Sequence, residues 1–224
     1  MSDFESNKLL SVKETIAEEL FENTQYPWEV LADIKGWILE NGPKLSADEY
    51  EQTAENVWIA KSAKVADSAS ITGPVIIGKD TEIRHCAFLR GSIIVGNQCV
   101  VGNSTELKNC ILFNRVQVPH YNYVGDSVLG YRAHMGAGSI CSNVKSDKTE
   151  IVVKSSSELL ETKLKKFGAV LGDYVEIGCG SVLNPGTVIA PHSNIYPLSS
   201  VRGYVSSNRI YKNQSEILAK EEHR

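Results

Sequence analysis

The sequence predicts a mainly β chain: a parallel β-helix with N-terminal helices before it and a short C-terminal helix after it. Three observations carry that prediction. Every sixth residue from Ile59 onward is large and apolar: Ile59, Val65, Ile71, Ile77, Ile83, Leu89, Val95, Val101, Leu107 and Phe113. A glycine repeatedly follows that position, at Gly78, Gly96, Gly102, Gly125, Gly130, Gly136, Gly172 and Gly178. Small residues recur two places before it, at Ala63, Ala69, Thr81, Ala87, Cys99 and Thr105. A six-residue period is neither helical nor that of a flat sheet. Short extended segments joined by corners explain it, with the aliphatics stacked along an axis into one core. The glycines are expected to supply positive φ or a sharp corner.

Residues 1–56 read as a helical segment. Leu9, Leu10, Val12, Ile16, Leu20 and Phe21 recur at spacings of three to four. Pro27 breaks the run, and Trp28, Val30, Leu31, Ile34, Trp37, Ile38 and Leu39 start a second amphipathic stretch that Gly42-Pro43 ends. That apolar side needs a partner, either the wall of the β-helix or a neighbouring subunit.

The β-helix is assigned to residues 57–203. Its clock slips after Phe113, resumes at Val118 and Val124, and slips again to Leu129, Met135 and Cys141. It returns at Leu171, Ile177, Leu183, Ile189, Ile195 and Val201. Between these runs lies an insertion, 145–168, with six lysines: Lys145, Lys148, Lys154, Lys163, Lys165 and Lys166. It reads either as a solvated projection or as a loop beside a binding site. Residues 204–224 form a polar tail, expected to end as a short helix through Glu221-Glu222-His223-Arg224.

The chain of 224 residues, 42% hydrophobic and 22% charged, is long enough to bury a substantial core. Its net charge of −4 gives no basic footprint for a nucleic acid or an anionic membrane. No stretch approaches the ~18 apolar residues of a membrane span. The acidic start Met1-Ser2-Asp3-Phe4-Glu5 lacks the order of a signal peptide. Five cysteines (Cys86, Cys99, Cys110, Cys141 and Cys179) form no CxxC pair, which argues against a disulfide framework and a zinc ribbon. A cytoplasmic location suits them.

The polar positions that could carry chemistry are ordered along the repeat. Val118-Pro119-His120-Tyr121-Asn122-Tyr123-Val124-Gly125-Asp126 is followed by His134-Met135-Gly136-Ala137-Gly138-Ser139-Ile140-Cys141-Ser142-Asn143. Upstream, Arg90 precedes Lys108 by eighteen residues, one full coil, and Glu106 stands two before Lys108. Over about residues 57–203 these stretches resemble the left-handed hexapeptide-repeat acetyltransferases. The likeness is to the C-terminal glucosamine-1-phosphate N-acetyltransferase domain of bifunctional UDP-N-acetylglucosamine pyrophosphorylase enzymes, and to the archaeal sugar-1-phosphate nucleotidylyltransferase/acetyltransferase proteins. That family's pattern reads roughly G-H-x-x-Y-x-G-D, then a G-A-G turn and an asparagine.

The resemblance implies left-handedness and acetyl transfer from acetyl-CoA to an amino-sugar 1-phosphate, glucosamine- or galactosamine-1-phosphate, with no metal. His120 matches the base, and neutral imidazole suits proton removal at cytosolic pH. Asn143 matches a residue that positions the amine or acetyl group, though a turn cap is the other reading. Arg90, Lys108 and Tyr123 match phosphate and sugar ligands. Two cations a coil apart also repel unless an anion joins them. Glu106 either accepts from a sugar hydroxyl or holds Lys108. Lys154 and Lys148 are possible phosphate or CoA contacts. Ala137 and Cys179 match positions along the pantetheine arm. His134 departs from the family's asparagine at a sugar-contacting position, which leaves the acceptor sugar open.

The resemblance further implies a homotrimer with sites between subunits. About 55 residues before the first coil are too few for a nucleotidyltransferase domain, so a separate partner is expected to supply that step. A γ-type carbonic anhydrase is a competing reading on this scaffold, disfavoured because His85, His120, His134 and His192 include no His-x4-His pair. A non-catalytic sugar-phosphate or sugar-nucleotide-binding scaffold is the other; the retained His120 argues against it. A different acyl acceptor would not need Arg90 over Lys108.

Overall fold

The computed structural model describes residues 2–156 and 158–220. The chain winds into a three-sided left-handed parallel β-helix. One side is a nine-stranded sheet, and a fourteen-stranded sheet bends around the other two. Face one stacks Val57–Ala60, Val75–Ile77, Ile93–Val95, the end of Glu106–Leu112, the end of Tyr123–Leu129, Ala169–Leu171, Thr187–Ile189 and Tyr204–Val205. Face two runs from Lys64–Val65 through Glu82–Ile83, Val100–Asn103, Gln117–His120, His134–Met135, Glu176–Ile177 and Asn194–Ile195 to Arg209–Asn213. Face three stacks Ser70–Thr72, Phe88–Arg90, the starts of the two long strands, Ile140–Cys141, Val182–Leu183 and Ser200–Val201.

The predicted clock is the inward row. Ile59, Ile77 and Val95 stand in register on face one, Ile83 with Val101 on face two, and Leu89 with Leu107 on face three. The slip comes one residue earlier than the sequence spacing suggests. Leu112, not Phe113, stands opposite Val95. Phe113 instead turns the corner and packs edge-on against Phe21, with ring centroids 5.5 Å apart.

The glycines behave differently from expectation. Those following the inward aliphatic do not take positive φ; the left-handed corner residues are mostly non-glycine, such as Asp80, Gln98 and Arg115 at φ 56, 56 and 62. What the glycines permit is contact between coils. A Cβ on Gly96 would lie 2.7 Å from backbone atoms of Phe113 and Asn114, and one on Gly102 would overlap the Pro119 carbonyl.

On face one whole strands are buried, including the outward-pointing Ile76, Ile94, Ile111, Val170 and Val188. Covering an isoleucine is worth about 2–3 kcal/mol, so this wall demands a lid. The N-terminal segment is that lid, which settles the choice between wall and neighbour in favour of the wall. Phe4, Trp28, Val30, Leu31, Ile34 and Ile38 are buried with it in one core. The expected pair of long amphipathic helices is largely absent. Among its described residues only Ser6–Leu9 and Ile34–Asn41 are α-helical, and 3-10 turns at Val12–Glu14, Glu18–Phe21 and Pro27–Ala32 fill the interval.

Asp173 stitches the lid down. Its carboxylate accepts from the backbone N–H of Ser11 and of Tyr131, each at 2.8 Å, and its own N–H donates to the Leu9 carbonyl. Burial pushes this carboxyl above the usual carboxylate range, against the pull of the Ser11 and Tyr131 donors. Asp173→Ala strands both donors and is expected to cost about 2–3 kcal/mol. Urea denaturation would read the loss, and hydrogen exchange would show it as earlier opening at Ser11.

The C-terminal tail corrects the sequence reading: it is a β-hairpin, not a helix. Arg209–Asn213 adds to face two and pairs antiparallel with Glu216–Ala219. Asn213 Oδ1 closes the turn by accepting from Ser215 N–H at 3.0 Å. The final four residues of the expected helix lie outside the described residues.

Candidate functional site

Parallel pairing on face three fixes the site. Phe88, Glu106 and Tyr123 share one register, and Leu89, Leu107 and Val124 the next. Alternation turns the leucines and valine inward, so the residues on either side face out. Arg90 therefore stands beside Lys108, with coils about 4.8 Å apart.

The corner beyond this row holds a residue that sequence reasoning did not single out. Asp126, 3% exposed and in the left-handed region at φ 46, gathers three side chains. Lys108 Nζ donates to its two oxygens at 2.7 and 2.8 Å. Asn109 Nδ2 donates to Oδ1 at 2.9 Å and Asn143 Nδ2 to Oδ2 at 2.5 Å. This coil is seventeen residues long, so register sets Gly125 opposite Lys108, and the Lys108 side chain reaches one residue further to Asp126.

Arg90 Nε donates to Glu106 at 2.5 Å, and that carboxylate is the main influence holding the guanidinium above its ordinary pKa. Glu106 thus holds Arg90 rather than Lys108. Burial raises the Tyr123 phenol, and its hydroxyl lies among Arg90, Asn143 and the open backbone of Gly125. The expected repulsion between Arg90 and Lys108 is absent because each cation has its own carboxylate.

His120 ends its face-two strand one corner before Tyr123. Its imidazole is exposed and makes no hydrogen bond among the described residues. Its backbone is fixed: the N–H donates to Asn122 Oδ1 at 3.1 Å. The buried Asn122 amide in turn donates to Gly136 and Ser139 carbonyls at 2.9 and 3.2 Å.

Ala137 and Cys179 stand above His120 on the same edge. The His120, Ala137 and Cys179 carbonyls accept in turn from the N–H groups of Gly138, Gly180 and Leu198. Gly138 and Gly180 take φ of 70 and 67 there, and all three residues above are exposed. A Cβ on Gly138 would meet nothing within 4 Å, so this stretch of edge is open.

The other candidates lie elsewhere. His134 is in register with Gln117, three residues before His120 and so about 10 Å along the strand. Its Nδ1 meets Glu176 Oε2 at 2.7 Å on face two. Lys154 is on an antiparallel hairpin, Val152–Lys154 with Leu159–Glu161, whose carbonyl approaches Gly203. Lys148 sits in an exposed turn at φ 57. Neither lysine hydrogen-bonds to the Asp126 cluster among the described residues. The neck of the insertion does reach the site: Phe167 N–H donates to the Asn143 carbonyl and Gly168 N–H to that of Asp126. Among the described residues no three His, Cys, Asp or Glu side chains gather as a metal set.

The comparisons with known proteins bear on this geometry. Residues 71–201 match the family described as the GMPPB C-terminal domain. The chain is 30% identical over 204 residues to the bifunctional sugar-1-phosphate nucleotidylyltransferase/acetyltransferase of Sulfurisphaera tokodaii, covering 83% of this chain and 47% of that protein. It is 27% identical over 184 residues to the bifunctional protein GlmU of Methanococcus aeolicus, covering 74% and 44%. The chain thus spans about half the length of the curated relatives it matches. Among solved structures, the acetyltransferase domain of PglB from Neisseria gonorrhoeae, in complex with acetyl coenzyme A, superposes with TM-score 0.36 at 15% identity. That overlay covers 73% of this chain and 57% of the other. The family match spans more than half of the chain and includes the coils bearing Arg90, Lys108, His120 and Asn143, so the protein belongs to the GMPPB C-terminal domain family, on a left-handed hexapeptide β-helix.

Proposed function

We propose that the chain is an N-acetyltransferase that moves the acetyl group of acetyl-CoA to the amine of an amino-sugar 1-phosphate, glucosamine- or galactosamine-1-phosphate. The observation that carries this is the gathering of Lys108, Asn143 and Tyr123 about Asp126, beside Arg90 and one corner from the unpartnered His120 imidazole.

In this reading the amine attacks the thioester carbon and His120 takes the ammonium proton as the C–N bond forms. Collapse breaks the C–S bond, and the proton is returned to the CoA thiolate. Asn143 donates through Nδ2 to Asp126, which leaves its Oδ1 as an acceptor for the attacking N–H. Arg90 is half-exposed and exchanges Glu106 for a phosphate oxygen. The open edge past His120, Ala137 and Cys179 is the track for the pantetheine arm.

Acetyl-CoA is the co-substrate, and no metal takes part. A homotrimer belongs to the same reading: Phe88, Tyr121 and Leu198 are exposed apolar residues on face three and its edge, and a second copy would cover them. So does a cytoplasmic enzyme working with a separate nucleotidyltransferase. No helix among the described residues is long and apolar enough to cross a membrane.

The alternative is a non-catalytic scaffold that holds a sugar phosphate without turnover; it needs Arg90 and Lys108 but not His120. Free CoA, followed with a thiol reagent over a panel of amino sugars with and without 1-phosphate, separates the two. Release that depends on the phosphorylated amine supports the enzyme; tight binding of that compound without release leaves only the scaffold. Arg90→Ala is expected to raise KM for the phosphorylated acceptor about 10- to 100-fold, the worth of one charged hydrogen bond, with kcat little changed.

A further inference from the structure

A second polar groove lies where face one turns into face two, outside the site above. Its edge is a column of left-handed residues: Asp80, Gln98, Arg115, Arg132, Tyr174, His192 and Asn208, with φ between 55 and 62. Each rung is tied to the coil below; Arg115 N–H donates to Asn97 and Arg132 N–H to Asn114. Identical backbone geometry on successive rungs throws the side chains out in one direction, so Arg115 and Arg132 project side by side, about 4.8 Å apart at the backbone. With Gln98, Gln117, His134 and Glu176 they line a groove of about 450 Å3.

Charge pairing sets these two arginines apart. Arg84 and Arg90 are held by Glu82 and Glu106, and Lys108 by Asp126. Neither Arg115 nor Arg132 has a carboxylate within ion-pair distance among the described residues. Glu176, the carboxylate of the groove, is engaged by His134. Arg90 and Lys108 are each balanced by a carboxylate, whereas Arg115 and Arg132, one coil apart, repel each other until an anion joins them.

Arg132 is also set in place. Its Nε donates to the Tyr131 hydroxyl at 3.2 Å, and its guanidinium lies 5.4 and 5.9 Å from the centroids of Tyr131 and Tyr174. Those rings meet edge-on, and Tyr174 stacks on His192 at 4.8 Å. With Nε committed, the two terminal NH2 groups remain as a planar fork suited to tetrahedral oxyanions. Gln98 and Gln117 add amide donors beside it.

We propose that this groove binds a diphosphate group, one phosphate on each guanidinium, as carried by a nucleoside diphosphate or by free pyrophosphate. This goes beyond the acetyl-transfer reading and does not depend on it.

The test is calorimetric titration of the full chain, without acetyl-CoA or amino sugar, using inorganic pyrophosphate, uridine diphosphate and adenosine diphosphate. Binding is expected, about tenfold weaker or more in Arg115→Ala and in Arg132→Ala, and lost in the double variant. Arg132→Lys keeps the charge without the fork and is expected to weaken binding as well. Thermal melts establish that the variants fold, which these exposed positions should allow. Tighter binding of the nucleotides than of pyrophosphate identifies a nucleotide as the source, and equal binding identifies the bare diphosphate. The proposal is overturned if none of the three probes binds, if the double variant binds as well as the wild type, or if Arg90→Ala abolishes binding while the double variant does not. Because CoA release plays no part here, either reading can fail without the other.

Discussion

Replacing His120 by alanine is expected to lower kcat for acetyl transfer by about 10^2- to 10^4-fold, the usual contribution of a positioned general base. The fold should not notice. The imidazole is exposed and has no partner among the described residues, and the backbone hydrogen bond from His120 N–H to Asn122 survives the change. Melting temperature and KM for both substrates are therefore expected to stay near wild type. A matching loss of stability would assign His120 a structural role instead. An unchanged kcat would remove it from the chemistry.

Asp126→Ala is expected to have the largest effect on stability and to lower the rate as well. It leaves Lys108 without its carboxylate and frees the Asn109 and Asn143 amides inside a corner that is nearly closed to water. Removing one partner of a buried charge network costs about 3–5 kcal/mol. Lys108 keeps some solvent access, with 22% of its side chain exposed, so about 2–4 kcal/mol is expected here. Chemical denaturation with an unchanged m-value would read it. Because Asn143 then loses its orientation, kcat should fall at temperatures where the variant is still folded. Asp126→Asn keeps the shape but not the charge, and separates the two effects: a rate loss without much instability identifies Asp126 as a positioning residue.

The β-helix was legible because its rule is local. Each third of a coil must send one aliphatic inward, so Ile77, Ile83 and Leu89 announce three successive sides. What the glycines do was not legible. A glycine in a repeat signals either a special φ or a close approach, and only the stacking of Gly96 on Phe113 and Asn114 shows which.

The N-terminal segment misled for a physical reason. Its apolar residues must cover face one, a surface ridged by successive strands, and its backbone bonds go partly to that wall, as from Asn114 N–H to the Glu14 carbonyl. Helical spacing of apolar residues survives such wrapping; regular helix does not. In the tail, Arg209–Asn213 pairs with Glu216–Ala219 across a short turn, and the polar composition hid that hairpin.

At the site, one-coil arithmetic correctly stacked Arg90 on Lys108. The next coil has seventeen residues, setting Gly125 rather than Asp126 opposite Lys108, and seventeen more lead from Asp126 to Asn143. The shorter coil is why strict counting by sixes missed that convergence. His134 stands where the family has an asparagine and Lys154 lies in the insertion, yet register sets His134 opposite Gln117, three residues from His120, and the hairpin carries Lys154 toward Gly203.

The most direct measurement follows the acetyl group itself. Purified protein is incubated with acetyl-CoA radiolabelled in the acetyl group and with glucosamine- or galactosamine-1-phosphate, and the label is traced by chromatography and mass spectrometry. Label is expected in an amide on the phosphorylated amino sugar, dependent on His120. Label that stays in acetyl-CoA or appears only as free acetate, with the amino sugar unmodified, would contradict it.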